Sequence, residues 1–207
     1  MNRKRSRWLA GLLTLMLGIS AFPVNPRSAE AAFEGWAVDE TQWTYSENGA
    51  VITSKGNVID SIQSAGTVSA NKIDFSAAIQ RVQSDVDGNI GLYYRCQTGE
   101  DYFFEYNSVL NFLRIRKLVN DAAVTEEIVP YIMELGEWYD FSVILKETSI
   151  EFYVNHTLMM TQAGEFGTVF QNGTCQIQGY NTVLSLRDCA FSQYDETDSG
   201  ETDWVYN

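Results

Sequence analysis

The chain has 207 residues, 14 of them basic and 27 acidic, for a net charge of −13. Such a surface repels nucleic-acid phosphates and anionic lipid headgroups, which excludes both as partners held by charge. It also argues against a strongly polyanionic polysaccharide unless calcium mediates the contact, although acidity that merely keeps an exported protein soluble explains the balance as well.

In chain order, Arg3, Lys4, Arg5 and Arg7 precede an apolar run from Trp8 to Phe22, and Ala29-Glu30-Ala31 follows with small residues at alternating positions. A basic start, an apolar middle and a small-residue exit mark a secretory signal peptide over residues 1–31. The apolar run is short for a membrane span. The expectation is therefore an extracellular protein with no stable membrane insertion after cleavage. The leader holds five of the 14 basic residues and one of the 27 acidic ones, so its removal leaves 176 residues carrying −17. That length suits one domain with a sizeable core.

Residues 32–193 read as strands almost throughout. The expected strands are 49–53, 57–62, 70–83, 88–96, 101–107, 110–118, 122–130, 137–146, 149–155, 157–162, 165–170, 174–180 and 183–193. Alternation is clean at Ile73, Phe75, Ala77, Ile79, again at Tyr139, Phe141, Val143, Leu145, and at Ile150, Phe152, Val154. Turn formers punctuate the runs at Asn48-Gly49, Asp87-Gly88, Thr98-Gly99, Asn155-His156 and Asn172-Gly173. Signals at intervals of about 8 to 12 residues belong to an antiparallel sandwich or barrel. The stretch 120–135 is ambiguous, though Pro130 argues against a long helix there. Residues 194–207 turn polar and acidic, a composition that does not support packing and is expected to be disordered.

The stretch richest in chemistry is Gly91-Leu92-Tyr93-Tyr94-Arg95-Cys96, followed by Tyr102-Phe103-Phe104-Glu105-Tyr106. Alternation sends Leu92, Tyr94 and Cys96 to one face and Tyr93 and Arg95 to the other. In the second run Tyr102, Phe104 and Tyr106 fall together, opposite Phe103 and Glu105. One face is core; the other offers aromatic surface beside an arginine and a glutamate, a combination suited to a sugar ring and its hydroxyls.

An ordered series runs further along the chain. Trp43 with Asn48-Gly49 comes first, then Gly91-Leu92-x-x-Arg95, then Asp101-Tyr102 leading to Asn111-x-Leu113-Arg114-Ile115-x-Lys117. Glu137-Trp138-Tyr139 and Ile150-x-Phe152-Tyr153-Val154-Asn155 complete it. The series resembles the concanavalin A-like lectin/glucanase superfamily, and within it the levanase-type family 66 carbohydrate-binding modules and the keto-glycoside hydrolase-like domains, over about residues 36–193. The resemblance implies an all-β jelly roll, a two-sheet antiparallel β-sandwich, with sugar bound on one sheet or along its rim. It also places Arg95 on the ligand side. Calcium is common in that superfamily.

The residues leave several readings open. Arg95 with Glu105 is either a ligand-binding pair or a plain cross-strand ion pair. Tyr93, Phe103 and Tyr153 lie off-core by parity, as sugar platforms or as ordinary strand aromatics. Trp138 shares that parity, whereas Trp36 and Trp43 are expected to be core or edge covers. No Glu-x-Asp-x-Glu triplet of the superfamily's glucanases is present, so no catalytic residue is assigned. Glu105 and Glu151, both off-core by parity, are the dispersed carboxylate pair the sequence offers, because adjacent Glu126 and Glu127 point to opposite faces. His156 reads as a solvated turn residue. No cofactor is called for. Asp85, Asp87 and Asn89 offer three oxygens for a calcium ion, or simply a solvated turn. Asn155 and Asn172 open glycosylation sequons that matter only in a eukaryotic secretory route. If Asn181-Thr182 is a turn, Cys175 lies nearly opposite Cys189; a disulfide and three buried thiols are both open.

These readings lead to an exported, non-catalytic carbohydrate-binding β-sandwich that uses Tyr93, Arg95, Phe103, Glu105 and Tyr153 for a neutral or terminal sugar. A glycoside hydrolase or polysaccharide lyase, and an extracellular protein-interaction domain, are the alternatives.

Overall fold

The computed structural model describes residues 32–68, 70, 72–164, 170 and 172–194, with backbone alone at 84–87. The expected leader, the acidic tail and most of the expected strand 165–170 lie outside the described residues. The chain forms β1 (Trp36–Ala37), β2 (Trp43–Tyr45), β3 (Ile52–Ser54), β4 (Ile59–Ser64), β5 (Lys72–Cys96) and β6 (Glu100–Asn107). It continues with β7 (Phe112–Val119), β8 (Ala122–Pro130), β9 (Trp138–Leu145), β10 (Ser149–Val154), β11 (Thr157–Ala163) and β12 (Gly173–Tyr194).

All strand pairs are antiparallel, and they stack as two layers. Layer one orders β1-β4-β12-β5-β6-β7-β8. Layer two runs β11-β10-β9-β5-β12-β3-β2. Two strands belong to both layers. The first part of β5 pairs with β9 and its last part with β6, while β12 meets β4 through its first part and β3 through its second. The jelly-roll sandwich expected from the sequence is therefore the fold.

The long strands correct two expectations. Asp87-Gly88 does not close a hairpin between 70–83 and 88–96, and Asn181-Thr182 does not close one between 174–180 and 183–193. Each marks an irregularity within a continuous strand, and the two coincide: Tyr180 pairs with Asn89, Thr182 with Ser84. Asn181 takes φ +49, a left-handed conformation that asparagine tolerates and that serves a bulge as well as a turn. Cys175 and Cys189 consequently sit fourteen residues apart along one strand, on the order of tens of ångströms, far beyond the ~7 Å that a disulfide spans. Both are buried and unbridged. Burial pushes both thiols up, and Cys96 is pushed up to about 12 by burial and then by Asp101 and Glu100. The folded protein is accordingly expected to resist thiol reagents that modify its cysteines once it is unfolded.

The core lies where parity puts it. Ile90, Leu92, Tyr94, Tyr102, Phe104, Tyr106, Leu113 and Ile115 face inward from layer one, and Phe75, Ile79, Phe141, Val143, Phe152 and Leu186 from layer two. Phe104 meets Phe75 at 6.2 Å and Phe152 at 6.0 Å between ring centroids, edge-on and tilted respectively, and so ties the layers together. Trp36 and Trp43 are both buried, as expected. Within the stretch 120–135, Ala122–Pro130 form strand β8, entered through Asn120 and Asp121, both at positive φ. This strand is the exposed edge of layer one. Its Thr125 accepts a hydrogen bond from Gln162 of β11 at 3.2 Å, which joins the edges of the two layers.

Candidate functional site

The outer surface of layer one is organised in rows that the strand register sets. One row crosses the sheet through Gln63, Gln176, Tyr93, Phe103, Arg116 and Glu126. A row on one side carries Thr174, Arg95 and Asp101. On the other side lie Ser61, Gln178, Gly91, Glu105, Arg114 and Ile128. Tyr93, Arg95, Phe103 and Glu105 therefore share one face, as alternation requires.

Their contacts differ from the expected pair. Arg95 and Glu105 do not meet, because the Tyr93–Phe103 row separates them. Arg95 instead donates from Nη1 to Asp101 Oδ2 at 2.7 Å and from Nε to Gln176 Oε1 at 3.1 Å. Gln176 in turn donates to Gln63 at 3.3 Å. Glu105 accepts from Tyr93 Oη at 2.7 Å and from Arg114 Nε at 2.5 Å, with Arg116 at 3.5 Å. Burial and the Glu105 carboxylate push the Tyr93 phenol well up, so it stays a donor to that carboxylate. Gly91 faces Glu105 across the pair, and a Cβ there would run into the Phe104 carbonyl and the Glu105 backbone. Only glycine allows this close approach.

The aromatic platform is also altered. Tyr93 is 1% exposed, Phe103 7% and Glu105 3%. The rings pack edge to face at 4.6 Å, and guanidinium groups cover Phe103: Arg95 at 4.7 Å and Arg116 at 5.1 Å. Strand parity distinguishes core from outer face but does not say what neighbouring long side chains will cover. The accessible chemistry of this face is a layer of arginine forks resting on rings. Arg95, with a third of its side chain exposed, is the member that reaches solvent best.

Tyr153 does not join them. It projects from the outer surface of layer two, since Phe152 beside it faces the core. There it donates to Glu151 at 2.6 Å, while Lys146 holds the other oxygen at 2.6 Å. The single five-residue surface read from the sequence is thus two faces on opposite sides of the sandwich. The same separation removes Glu105 with Glu151 as a carboxylate pair. Burial and the Glu151 contact push the Tyr153 phenol up to about 12. Trp138 also lies on the layer-two side, under the Arg187 guanidinium at 4.4 Å.

Sequence reasoning missed Asp101, Gln176, Arg114 and Arg116. The two arginines had a signal, because they alternate with core Leu113 and Ile115. Glu126 and Glu127 both line a cleft of ≈ 380 Å³ between β8 and β11, together with Thr125, Gln162 and Ala163. His156 occupies the β10–β11 turn at φ +61, exposed, 3.7 Å from Asp140. Among the described residues no cluster of three or more His, Cys, Asp or Glu side chains forms a metal site. The Asp85 and Asp87 side chains are not among those described.

Solved structures share this arrangement of strands. The carbohydrate-binding module CBM66 from Bacillus subtilis superposes with a TM-score of 0.61 at 14% identity, covering 77% of this chain and 96% of that one. The fold is the concanavalin A-like jelly roll. A prokaryotic β-1,3-1,4-glucanase (lichenase) from a mouse hindgut metagenome gives 0.58 at 5% identity, over 81% of this chain and 97% of that one. The Bacillus licheniformis β-glucanase gives 0.56 at 10%, over 79% and 86%. No protein-family model matches the sequence, and no curated protein matches it. At these identities the likeness is one of fold.

Proposed function

We propose that the protein is an exported carbohydrate-binding domain whose ligand surface is the outer face of layer one. The observation that carries this reading is Arg95. Its guanidinium is fixed by Asp101 and Gln176 and seated on Phe103 and Tyr93, yet remains partly open to solvent. A planar fork held in place binds vicinal hydroxyls with little further loss of side-chain freedom. Phe103 and Tyr93 form the support beneath it, Glu105 holds Tyr93 from the far side, and Gln176, Gln63 and Thr174 add polar groups alongside. Fold neighbours that bind or act on glycans support a carbohydrate partner in general. Export rests on the leader pattern in the sequence. Tyr153, facing the other way, takes no part.

A glycan array or affinity gel tests this directly. The expected outcome is retention on at least one glycan and a ~10-fold or greater weakening in Arg95→Ala, about 1.4 kcal/mol. Equal binding by that variant, or binding to no glycan, overturns it. A second reading, glycan hydrolysis, rests on the β-glucanases among the fold neighbours. Release of reducing sugar from a polysaccharide panel would carry that reading instead.

A further inference from the structure

On the layer-one face the arginines are not equally engaged. Arg95 is committed to Asp101 and Gln176, and Arg114 to Glu105 and Glu126. Arg116 makes no hydrogen bond among the described residues. Its nearest acidic oxygen, Glu105 Oε2 at 3.5 Å, already accepts from Arg114 Nε at 2.5 Å, and its own Nε is buried without a partner. A guanidinium with unspent donors beside a ring, 24% exposed, is an incomplete site: five donors need acceptors, and charged acceptors satisfy them best. Glu126 stands directly across the strand pair, yet it bonds Arg114 and lines the neighbouring cleft.

We propose that Arg116 anchors the carboxylate of an acidic saccharide that lies across the middle row of this outer face. This deepens the carbohydrate-binding reading above and rests on it. A carboxylate matches the fork in two-point fashion, which a single hydroxyl does not. The same row supplies Gln176 and Gln63 as partners for the sugar hydroxyls. The net charge of −13 disfavours a polyanion, so the saccharide carries one isolated carboxylate matched to the open Arg116 donors.

The test is calorimetric titration of the protein with an oligosaccharide ending in one glucuronic acid, and with its carboxyl-reduced counterpart. The acidic form is expected to bind ~10-fold more tightly at low salt, with the preference shrinking as salt rises. Arg116→Gln should abolish that preference, so that the two forms bind alike, and Arg116→Lys should restore part of it. Matched unfolding midpoints separate loss of binding from loss of fold. Equal affinity for the two forms, or a preference that survives Arg116→Gln, overturns the inference and leaves the carbohydrate reading standing. Binding to neither form, with no other glycan retained on the array, overturns both.

Discussion

The two outer faces of the sandwich obey one alternation rule and are built differently. On layer one, a buried carboxylate, Glu105, is shared by a tyrosine and two arginines, and the rings lie beneath guanidinium groups. On layer two, lysines hold the acids: Lys146 on Glu151 at 2.6 Å and Lys72 near Asp74 at 3.6 Å, with Ser76 and Ser142 filling the neighbouring row. Planar forks that stack and chelate make a fixed surface, whereas flexible ammonium groups make a looser, more solvated one. Pre-organisation distinguishes the two faces as ligand surfaces, and it is measurable.

The largest contrast is expected from removing the central acid of each face. Glu105→Ala leaves Arg114 without its main partner in a buried setting and should cost about 3 kcal/mol in denaturant unfolding. Glu151→Ala, which leaves a Lys146 side chain that is 37% exposed, should cost under about 1 kcal/mol. Similar losses would erase the distinction between the faces. A smaller contrast comes from the rings. Phe103→Leu removes the seat of two guanidinium groups and should cost ~1–2 kcal/mol, against ~0.5 kcal/mol for Tyr153→Leu.

The smallest effect sharpens the picture of layer two through pH. Burial pushes the Asp74 carboxyl up, helped by Glu151 and opposed by Lys72 and Lys146. Burial acts in the same direction on Glu151, but hydrogen bonds from Lys146 and Tyr153 outweigh it and hold that carboxyl down. A raised carboxyl burdens the fold at pH above its folded value, and the burden is gone below the ordinary 3.8. A lowered one contributes above the ordinary 4.5, and its contribution is lost as pH falls through the folded value. Asp74→Asn should therefore raise the unfolding midpoint at neutral pH and leave it unchanged in acid, whereas Glu151→Gln should lower it at neutral pH only. Thermal melts across pH check both signs, and the reverse order would show that the lysines control Asp74.

Much of this architecture was legible because alternation survives in a single sequence. Leu92, Tyr94, Phe104 and Phe152 on one side, with Arg95, Glu105 and Tyr153 on the other, follow from period two alone. Parity assigns a residue to an inner or outer face but does not identify the layer. Tyr153 and Phe103 are both outer residues and nonetheless face opposite directions. Asn181 and Asp87-Gly88 carry the chemistry of a turn, and only the strands paired alongside decide between a reversal and a bulge. The Arg95–Asp101 pairing was hidden for a related reason: register depends on where the Gln97–Gly99 turn closes, and a shift of two residues changes every partner without changing any face.

The sharing of β5 and β12 between both layers has a consequence for how the molecule comes apart. Two threads run through the whole body, so peeling away either sheet would require breaking the seam along which the other is stitched. Amide exchange should find the central strands opening together at one cost, with β8 and β11 fraying ahead of them. A topology knit from such distant segments should also assemble slowly, because Lys72 must find Tyr194 across most of the domain before the seam closes.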